Sequence, residues 1–298
     1  MAIQNSGVGR FVWENHIAAS GVEVTDASYG TDVFNALSAS KLVNPHPSDM
    51  AMWYFGSESP DTQRVVVEFD CQSSQSFNFY AIMGFDWYDS DGDGIGDTPN
   101  GRVKFKVSSS SAHSGDRFDS GWSTMTKRTD GFPNKFVWPE DTNVTGRYCS
   151  AEFECIVGAS TSMNRRWMKL GSLWMGGGPL DDQFKMLSEG YQQTVIDTSR
   201  SQMSRGGSHF STPGTKIRQI TQHISFKGKN DLFSDAQDES MDYLDRTLGQ
   251  TGYGLIFPFT ESRTEATLYG RVDVGPNVCV EGGSNPVFKK RLIFTETH

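Results

Sequence analysis

The chain has 298 residues, with 27 lysines and arginines against 36 aspartates and glutamates, which gives a formal net charge of −9. Hydrophobic residues make up 36% and aromatic residues 12% of the sequence, too much for a disordered chain. No stretch approaches the roughly 20 apolar residues that a membrane span needs. The acidic balance argues against nucleic-acid binding, because neutralising phosphates requires clustered basic residues. We therefore expect a folded, acidic protein with no nucleic-acid partner and no membrane span.

The first part of the sequence reads as short strands separated by turns. In residues 102–107, Val103, Phe105 and Val107 alternate with charged residues, which is typical of an antiparallel strand with one buried face. Several short strands with turns between them predict a mainly β fold, an antiparallel β-sandwich or jelly roll. The candidate strands are residues 64–70, 76–83, 102–107, 151–157 and 166–175, with a Ser/Gln turn between the first two.

Three glycines and a proline at residues 176–179 form the clearest boundary in the chain, because this combination ends any regular element. We therefore predict a β-sandwich over residues 1–178 and a second β-rich domain over residues 179–298. One main helix is predicted at residues 231–248, where apolar residues recur at helical spacing and the opposite face is acidic. The rest of this domain is predicted as a polar loop at residues 199–215 and strands at residues 217–226, 253–259, 266–273 and 288–295.

The four cysteines, Cys71, Cys149, Cys155 and Cys279, form no CxxC pair and no zinc-type spacing with histidine. Disulfides mostly stabilise small secreted domains, and the first residues lack the basic and apolar segments of a secretory signal. We therefore predict free, buried thiols.

One motif is sharp: residues 89–97 read D-x-D-x-D-G-x-x-D. Calcium takes six to eight oxygen ligands, and carboxylates at alternate positions can converge on it if the backbone curls, which Gly94 permits. The twelfth position of the motif is Asn100 rather than the bidentate glutamate of an EF-hand. The loop therefore resembles the calcium loops of thrombospondin type 3 repeats and dockerins. A further ligand could come from Asp86. The alternative is an acidic loop that is simply solvated. The predicted ligands of a structural calcium ion are Asp89, Asp91, Asp93, the carbonyl group of Ile95, and Asp97.

Aromatic residues crowd the start of this loop. Trp87 and Tyr88 directly precede it, so they are candidate contacts for a sugar ring beside the calcium ion. The alternative is that they pack in the core or between subunits, as aromatic residues commonly do.

No catalytic motif is present, since the chain has no G-x-S-x-G elbow, no P-loop and no H-E-x-x-H. The six histidines are scattered without metal spacing, and a pair of catalytic carboxylates cannot be recognised in a sequence because the fold sets their separation. We therefore predict a protein that is not an enzyme and name no catalytic residue.

Three segments carry a family resemblance. Residues 79–87, after the strand at residues 65–69, resemble the strand-to-loop step of discoidin-like, galactose-binding-like jelly rolls. Residues 170–176 look like the hinge into a second domain in tail proteins of tailed bacteriophages, and the chain from residue 231 to the last strand at residues 291–296 is similar to such proteins. The aspartate-rich loop lies outside this pattern and reads as an insertion.

The resemblance implies a virion structural protein of a phage tail tip or baseplate, such as a distal tail protein, made in the host cytoplasm. Such a protein would form a homo-oligomeric ring and dock neighbouring tail and baseplate proteins. The alternative function is a calcium-assisted carbohydrate-binding module for a host-surface glycan. A polysaccharide hydrolase is the third candidate function.

Overall fold

The computed structural model describes most of the strands and the segments around them. The described residues are 10–12, 14–19, 21–29, 33–55, 64–87, 101–111, 115–128, 132, 134–155, 167–177, 192–207, 209–212, 214, 216–227, 252–257, 267–282 and 287–297. The predicted helix at residues 231–248 lies outside them.

Strands dominate the described residues, which confirms the prediction of a mainly β fold. In chain order the strands are β1 (Arg10–Val12), β2 (Glu14–Asn15), β3 (Glu23–Tyr29), β4 (Val33–Leu37), β5 (Ala51–Phe55), β6 (Arg64–Trp87), β7 (Gly101–Ser108), β8 (Phe118–Asp119), β9 (Ser123–Thr124), β10 (Lys135–Cys155), β11 (Trp167–Gly177), β12 (Gln192–Asp197), β13 (Arg200–Met203), β14 (His209–Thr212), β15 (Lys216–Lys227), β16 (Tyr253–Phe257), β17 (Leu268–Glu281) and β18 (Val287–Glu296). Two short 3₁₀ helices cover His16–Ala18 and Ala39–Val43.

The larger sheet has ten strands and is organised by β6 and β10, which pair along most of their length. Its main order is β4-β5-β11-β6-β10-β7-β8, with β2 on β11, β3 on β6 and β9 on β7. The Ser/Gln turn predicted after residue 70 is wrong, because β6 runs without a break through this segment. The chain instead absorbs extra residues as an irregularity, where the pairing with β10 shifts register and Gln72 adopts a positive φ of 62°.

The two halves of the larger sheet enclose the main core. Phe69 and Tyr80, from the two halves of β6, belong to one buried cluster, and the Tyr80 ring stacks on Phe105 of β7 with centroids 5.2 Å apart. β7 shows the predicted alternation, with Val103, Phe105 and Val107 fully buried and its charged residues on the other face. These contacts are those of a β-sandwich.

The smaller sheet has six strands in the order β1-β16-β17-β18-β15-β12. The predicted strands at residues 217–226, 253–259, 266–273 and 288–295 correspond to β15, β16, β17 and β18. The predicted loop at residues 199–215 is wrong, since β13 and β14 form a two-stranded ribbon within it. Its Ser- and Gly-rich composition hid this pairing because it carries no alternation of apolar and polar residues.

The two sheets pack directly on each other. Trp174 of β11 meets Tyr269 of β17 edge to face, with ring centroids 5.9 Å apart, and the Tyr269 hydroxyl donates to the carbonyl oxygen of Pro45 at 2.8 Å. β1, near the start of the chain, pairs with β16 of the smaller sheet. The division into domains at residue 178 stays a prediction. The second buried cluster, at this interface, comprises Val12, Phe79, Ala81, Met83, Val137, Trp174 and Tyr269.

Cys71 and Cys149 are free and buried, as predicted, whereas Cys279 is exposed, contrary to the prediction of a buried thiol. Cys279 lies on β17 between two exposed valines and pairs with Phe288 of β18. None of the described helices has the length and apolar character to cross a membrane.

Candidate functional site

The aspartate-rich loop connects β6 to β7, and the structure describes only the two residues at its base. Trp87 ends β6 and Gly101 begins β7, and a methyl group on Gly101 would lie 3.2 Å from the Trp87 ring and 3.1 Å from the Met125 side chain. Glycine therefore allows the two ends of the loop to approach closely. Tyr88 and the five predicted calcium ligands, Asp89, Asp91, Asp93, Ile95 and Asp97, lie outside the described residues.

Asp86, a possible additional calcium ligand, is held by a lysine. Its carboxylate lies 2.8 Å from Lys127 Nζ and accepts the backbone N–H of Trp87 at 2.9 Å, while Lys127 also donates to the Trp87 carbonyl oxygen at 2.7 Å. Both contacts are made by Oδ1, so a calcium ion bound through that oxygen would have to displace this ammonium group. Within the described residues no cluster of three or more His, Cys, Asp or Glu side chains could hold a metal ion.

Trp87, a predicted sugar contact, is part of the core. Its side chain is 2% exposed and its ring stacks on Phe85, with centroids 5.4 Å apart and ring planes 4° apart. Lys127 Nζ also lies over this ring, 5.1 Å from its centroid. The prediction that Trp87 contacts a sugar is therefore corrected: the alternation along β6 turns this ring inward, and no sugar can stack on it there.

A different tryptophan lies at the surface close to the same loop. Trp122, half-buried, directly precedes β9 and covers the outer face of β7. Its ring centroid is 4.9 Å from Lys104 Nζ, 5.5 Å from the Arg102 guanidinium carbon and 5.2 Å from that of Arg64. Each distance is within the range of a cation–π interaction. Arg102 is the second residue of β7, so this arrangement begins where the aspartate-rich loop ends.

Two glutamates of β10 lie between these cations. Glu154 binds Arg102 Nη2 at 2.5 Å and lies 3.8 Å from Arg64 Nε, and Glu152 binds Lys104 Nζ at 2.9 Å. Both glutamates are buried, so each carboxylate depends on its cations for compensation. We call Trp122, Arg64, Arg102, Lys104, Glu152 and Glu154 the Trp122 cluster.

The Trp122 cluster combines the features of a recognition surface for a polar ligand. The partly exposed indole offers an apolar ring, and the guanidinium groups of Arg64 and Arg102, which are 40% and 35% exposed, offer donors beside it. The buried carboxylate of Glu154 holds these donors in place. The Nε atoms of Arg64 and Arg102 are buried and make no hydrogen bond within the described residues. Buried donors of this kind are rare in proteins, and an ordered water molecule or a functional role is the common explanation for them.

Sequence reasoning missed this cluster. The alternation in residues 102–107 predicts only that the charged residues lie opposite a buried face, and Trp122 belongs to no motif. The available signal was the alternation of charge on β7 and in residues 151–157, but the register that places Glu154 opposite Arg102 and Arg64 follows from pairing in three dimensions.

A second group of charged residues is buried between the two sheets. Glu296 of β18 accepts two hydrogen bonds from the guanidinium group of Arg218 of β15, one of them from Nε at 2.9 Å, and a third from the Arg218 backbone N–H at 3.4 Å. Lys135 of β10 lies 3.5 Å from the same carboxylate. Burial, followed by the charge of Arg218, lowers the pKa of Lys135 to about 7. The adjoining cavity of about 10 Å³ has room for a single water molecule, so we interpret this group as part of the sheet interface rather than as a ligand site.

No protein-family model matches the chain, and a search of curated protein sequences gives no significant match. The fold search finds several carbohydrate-binding modules that are similar to part of the chain. CBM32-1 from a family 31 glycoside hydrolase of Clostridium perfringens has 11% identity and a TM-score of 0.33, over 53% of this chain and 95% of that one. A Streptococcus pneumoniae fucose-binding module has 10% identity and a TM-score of 0.31, over 55% of this chain and 95% of that one.

The lectin domain of lectinolysin, solved with Lewis B antigen, has 11% identity and a TM-score of 0.34, over 56% of this chain and all of that one. These values are too low to assign a function to this chain. Nothing in these comparisons supports the predicted role in a phage tail, which stays a prediction.

Proposed function

We propose that the chain is a carbohydrate-binding protein and that the Trp122 cluster is its binding surface. The observation that carries this proposal is the half-buried indole of Trp122 held beside three cations and two carboxylates on the outer face of the sandwich. One face of a sugar ring is lined by C–H groups and packs on an indole, while its hydroxyls need charged donors and acceptors around that ring.

The charged side chains suit this task because they are already fixed before a ligand arrives. Glu154 and Glu152 hold Arg102 and Lys104 in place at 2.5 and 2.9 Å. Fixed groups lose little conformational entropy on binding, which matters for sugars, whose hydroxyls give up hydrogen bonds to water. A guanidinium group can also donate two hydrogen bonds to neighbouring hydroxyls.

Calcium would assist this site by ordering the backbone that leads into it, without contacting the glycan. The aspartate-rich loop enters β7 at Gly101, immediately before Arg102, so an ion bound by Asp89, Asp91 and Asp93 would order the backbone that leads into the cluster. We propose calcium as a structural ion of this loop, with glycan contacts left to the Trp122 cluster.

The test is a glycan array followed by calorimetric titration of the best glycan, with Trp122→Ala as the variant. The array should include fucosylated glycans, because Lewis B antigen and fucose are named for two of the similar structures. Losing one stacked ring is expected to weaken binding by tenfold or more, in keeping with the roughly 0.5–1.5 kcal/mol of an aromatic contact plus the lost apolar area.

The matched control is Trp167→Ala. Trp167 is also half-buried with a lysine over its ring, Lys169 at 4.6 Å, but it lies on β11 away from the cluster. The control should bind glycan like the unmodified chain. Absence of any glycan ligand, or equal losses in both variants, would overturn the assignment.

A further inference from the structure

Two buried cysteines lie next to each other on the central strands of the larger sheet. Cys71 of β6 and Cys149 of β10 belong to the main buried cluster and are 6% and 0% exposed. The two strands are antiparallel neighbours, and Cys149 pairs with Phe69, two residues before Cys71. Residues two apart on a strand share one face, so the two side chains point into the same core as diagonal neighbours.

The two thiols also differ in their chemistry. A hydrogen bond from Cys149 lowers the pKa of Cys71, whereas burial raises the pKa of Cys149 well above its ordinary value. Cys71 is therefore the sulfur that is converted more easily to a thiolate, which is the nucleophilic form of cysteine. It is also the more exposed of the two, so a small solute reaches Cys71 first.

The backbone at Cys71 lies where the regular ladder breaks. The pairings of β6 with β3 and with β10 both stop at Asp70, and the pairing with β10 resumes only at Gln75. A single residue of β10, Arg147, spans the same interval. A disulfide needs Cα atoms about 4.4–6.8 Å apart, slightly closer than the roughly 7–8 Å of diagonal neighbours in a regular ladder. The surplus residues of β6 give Cys71 the freedom to close this difference.

We propose that Cys71 and Cys149 form a peroxide-sensitive dithiol, which closes to a disulfide in the folded chain and fastens β6 to β10. The Cys71 thiolate attacks one oxygen of hydrogen peroxide, the O–O bond breaks, and Cys71 becomes a sulfenic acid. The hydroxide that leaves takes up the proton that Cys71 had released. Cys149 then attacks the Cys71 sulfur, so that the S–S bond forms, the S–O bond breaks and a second water molecule leaves with the Cys149 proton.

This reaction converts two thiols and one peroxide into one disulfide and two water molecules, and a dithiol reductant reverses the change in the protein. The bond encloses residues 72–148, which include the aspartate-rich loop and Trp122. A disulfide restricts the unfolded chain, more so when the enclosed segment is long, and this raises the free energy of unfolding. We therefore expect the bonded chain to melt several degrees higher than the reduced chain. The inference does not depend on glycan binding.

The experiment treats the full chain with a small excess of hydrogen peroxide, blocks the remaining thiols with an alkylating reagent in denaturant, and maps the peptides by mass spectrometry without reduction. We expect a peptide pair joined through Cys71 and Cys149, formed at a rate that does not depend on protein concentration. The matched control is Cys279→Ala, on the other sheet, which should form the same bond. Cys71→Ala and Cys149→Ala should not form it.

The melting temperature of the treated chain is then compared before and after reduction with dithiothreitol. Reduction opens a disulfide but leaves methionine sulfoxides in place, so a fall in melting temperature on reduction isolates the effect of the bond. The bond is detected in the unmodified chain, so the result does not depend on whether the alanine variants fold.

Three results would overturn the proposal. The first is that Cys71 and Cys149 stay thiols under conditions that oxidise the exposed Cys279. The second is that Cys71 ends as a sulfinic acid without joining Cys149. The third is a bonded chain that melts no higher than the reduced one.

Discussion

Lys135 and Glu296 form an ion pair across the interface between the two sheets, with Nζ 3.5 Å from the carboxylate and both side chains only 3% exposed. Arg218 binds the same carboxylate from β15 and also donates to the Thr267 carbonyl oxygen at 3.3 Å, a group to which Lys135 donates as well. Two cations therefore share one acid in a place from which water is largely excluded. Removing a charge from water costs several kcal/mol per ion. Glu296 therefore stabilises the fold by compensating the buried cations, whereas Lys135, as the surplus cation, destabilises it.

The first prediction concerns the pH dependence of stability. The pKa of Lys135 falls from 10.5 to about 7 on folding, so between these values the unfolded chain binds one more proton than the folded chain. The free energy of unfolding should therefore rise with pH above about 7, by up to about 1.4 kcal/mol per pH unit, and this contribution should be flat at lower pH. Urea titrations at a series of pH values measure this slope.

Lys135→Met is the matched variant for this slope, since methionine fills a similar volume without the amine. Cys149 and Tyr269 have raised pKa values because of burial, and they change stability in the opposite direction only at higher pH. The difference between the two chains near neutral pH therefore isolates Lys135. An identical slope in both chains would show that the amine stays protonated in the folded state.

The second prediction is an asymmetry between the two partners of the pair. Glu296→Gln leaves Lys135 and Arg218 buried without a counter-charge, and below neutral pH this should cost about 3–5 kcal/mol of unfolding free energy. Lys135→Met leaves Arg218 paired with Glu296 and should be neutral or stabilising. Equal destabilisation by the two substitutions in the same urea titrations would contradict this account.

The sequence predicted the strands better than the turns and register shifts between them. Val103, Phe105 and Val107 made β7 recognisable because one buried face produces strict alternation. The segment after Asp70 read as a turn because serine and glutamine are common in turns, yet a strand can absorb extra residues through a register shift, which no local pattern reveals. Periodicity reports burial, and the partner of each strand is decided by the rest of the chain.

The site was less predictable, for a related reason. Trp87 and Trp122 are both tryptophans near the aspartate-rich loop, but the first is 2% exposed and the second is half-buried. Only the direction of the side chain from its strand separates a core residue from a surface residue, and a one-residue difference in register reverses that direction. The loop motif could be recognised because its spacing is local. The Trp122 cluster could not, since β6, β7 and β10 each contribute to it.

The last prediction tests the aspartate-rich loop. Asp91→Ala combined with Asp93→Ala removes two carboxylates that would face the ion, so calorimetric titration should find about one calcium ion per unmodified chain and none per variant. A bound ion stabilises only the folded state, so calcium should raise the melting temperature of the unmodified chain and not that of the variant.

The control for charge is Asp235→Ala combined with Asp238→Ala, two aspartates of the predicted helix, which should bind calcium normally. Without calcium the loop variant should melt at the same temperature as the unmodified chain. Neither chain then holds an ion in the loop, and the main core consists of residues outside it. Unchanged calcium affinity in the loop variant would remove these aspartates from the site. Melting at a lower temperature even in a chelator would give them a role in folding that is independent of calcium.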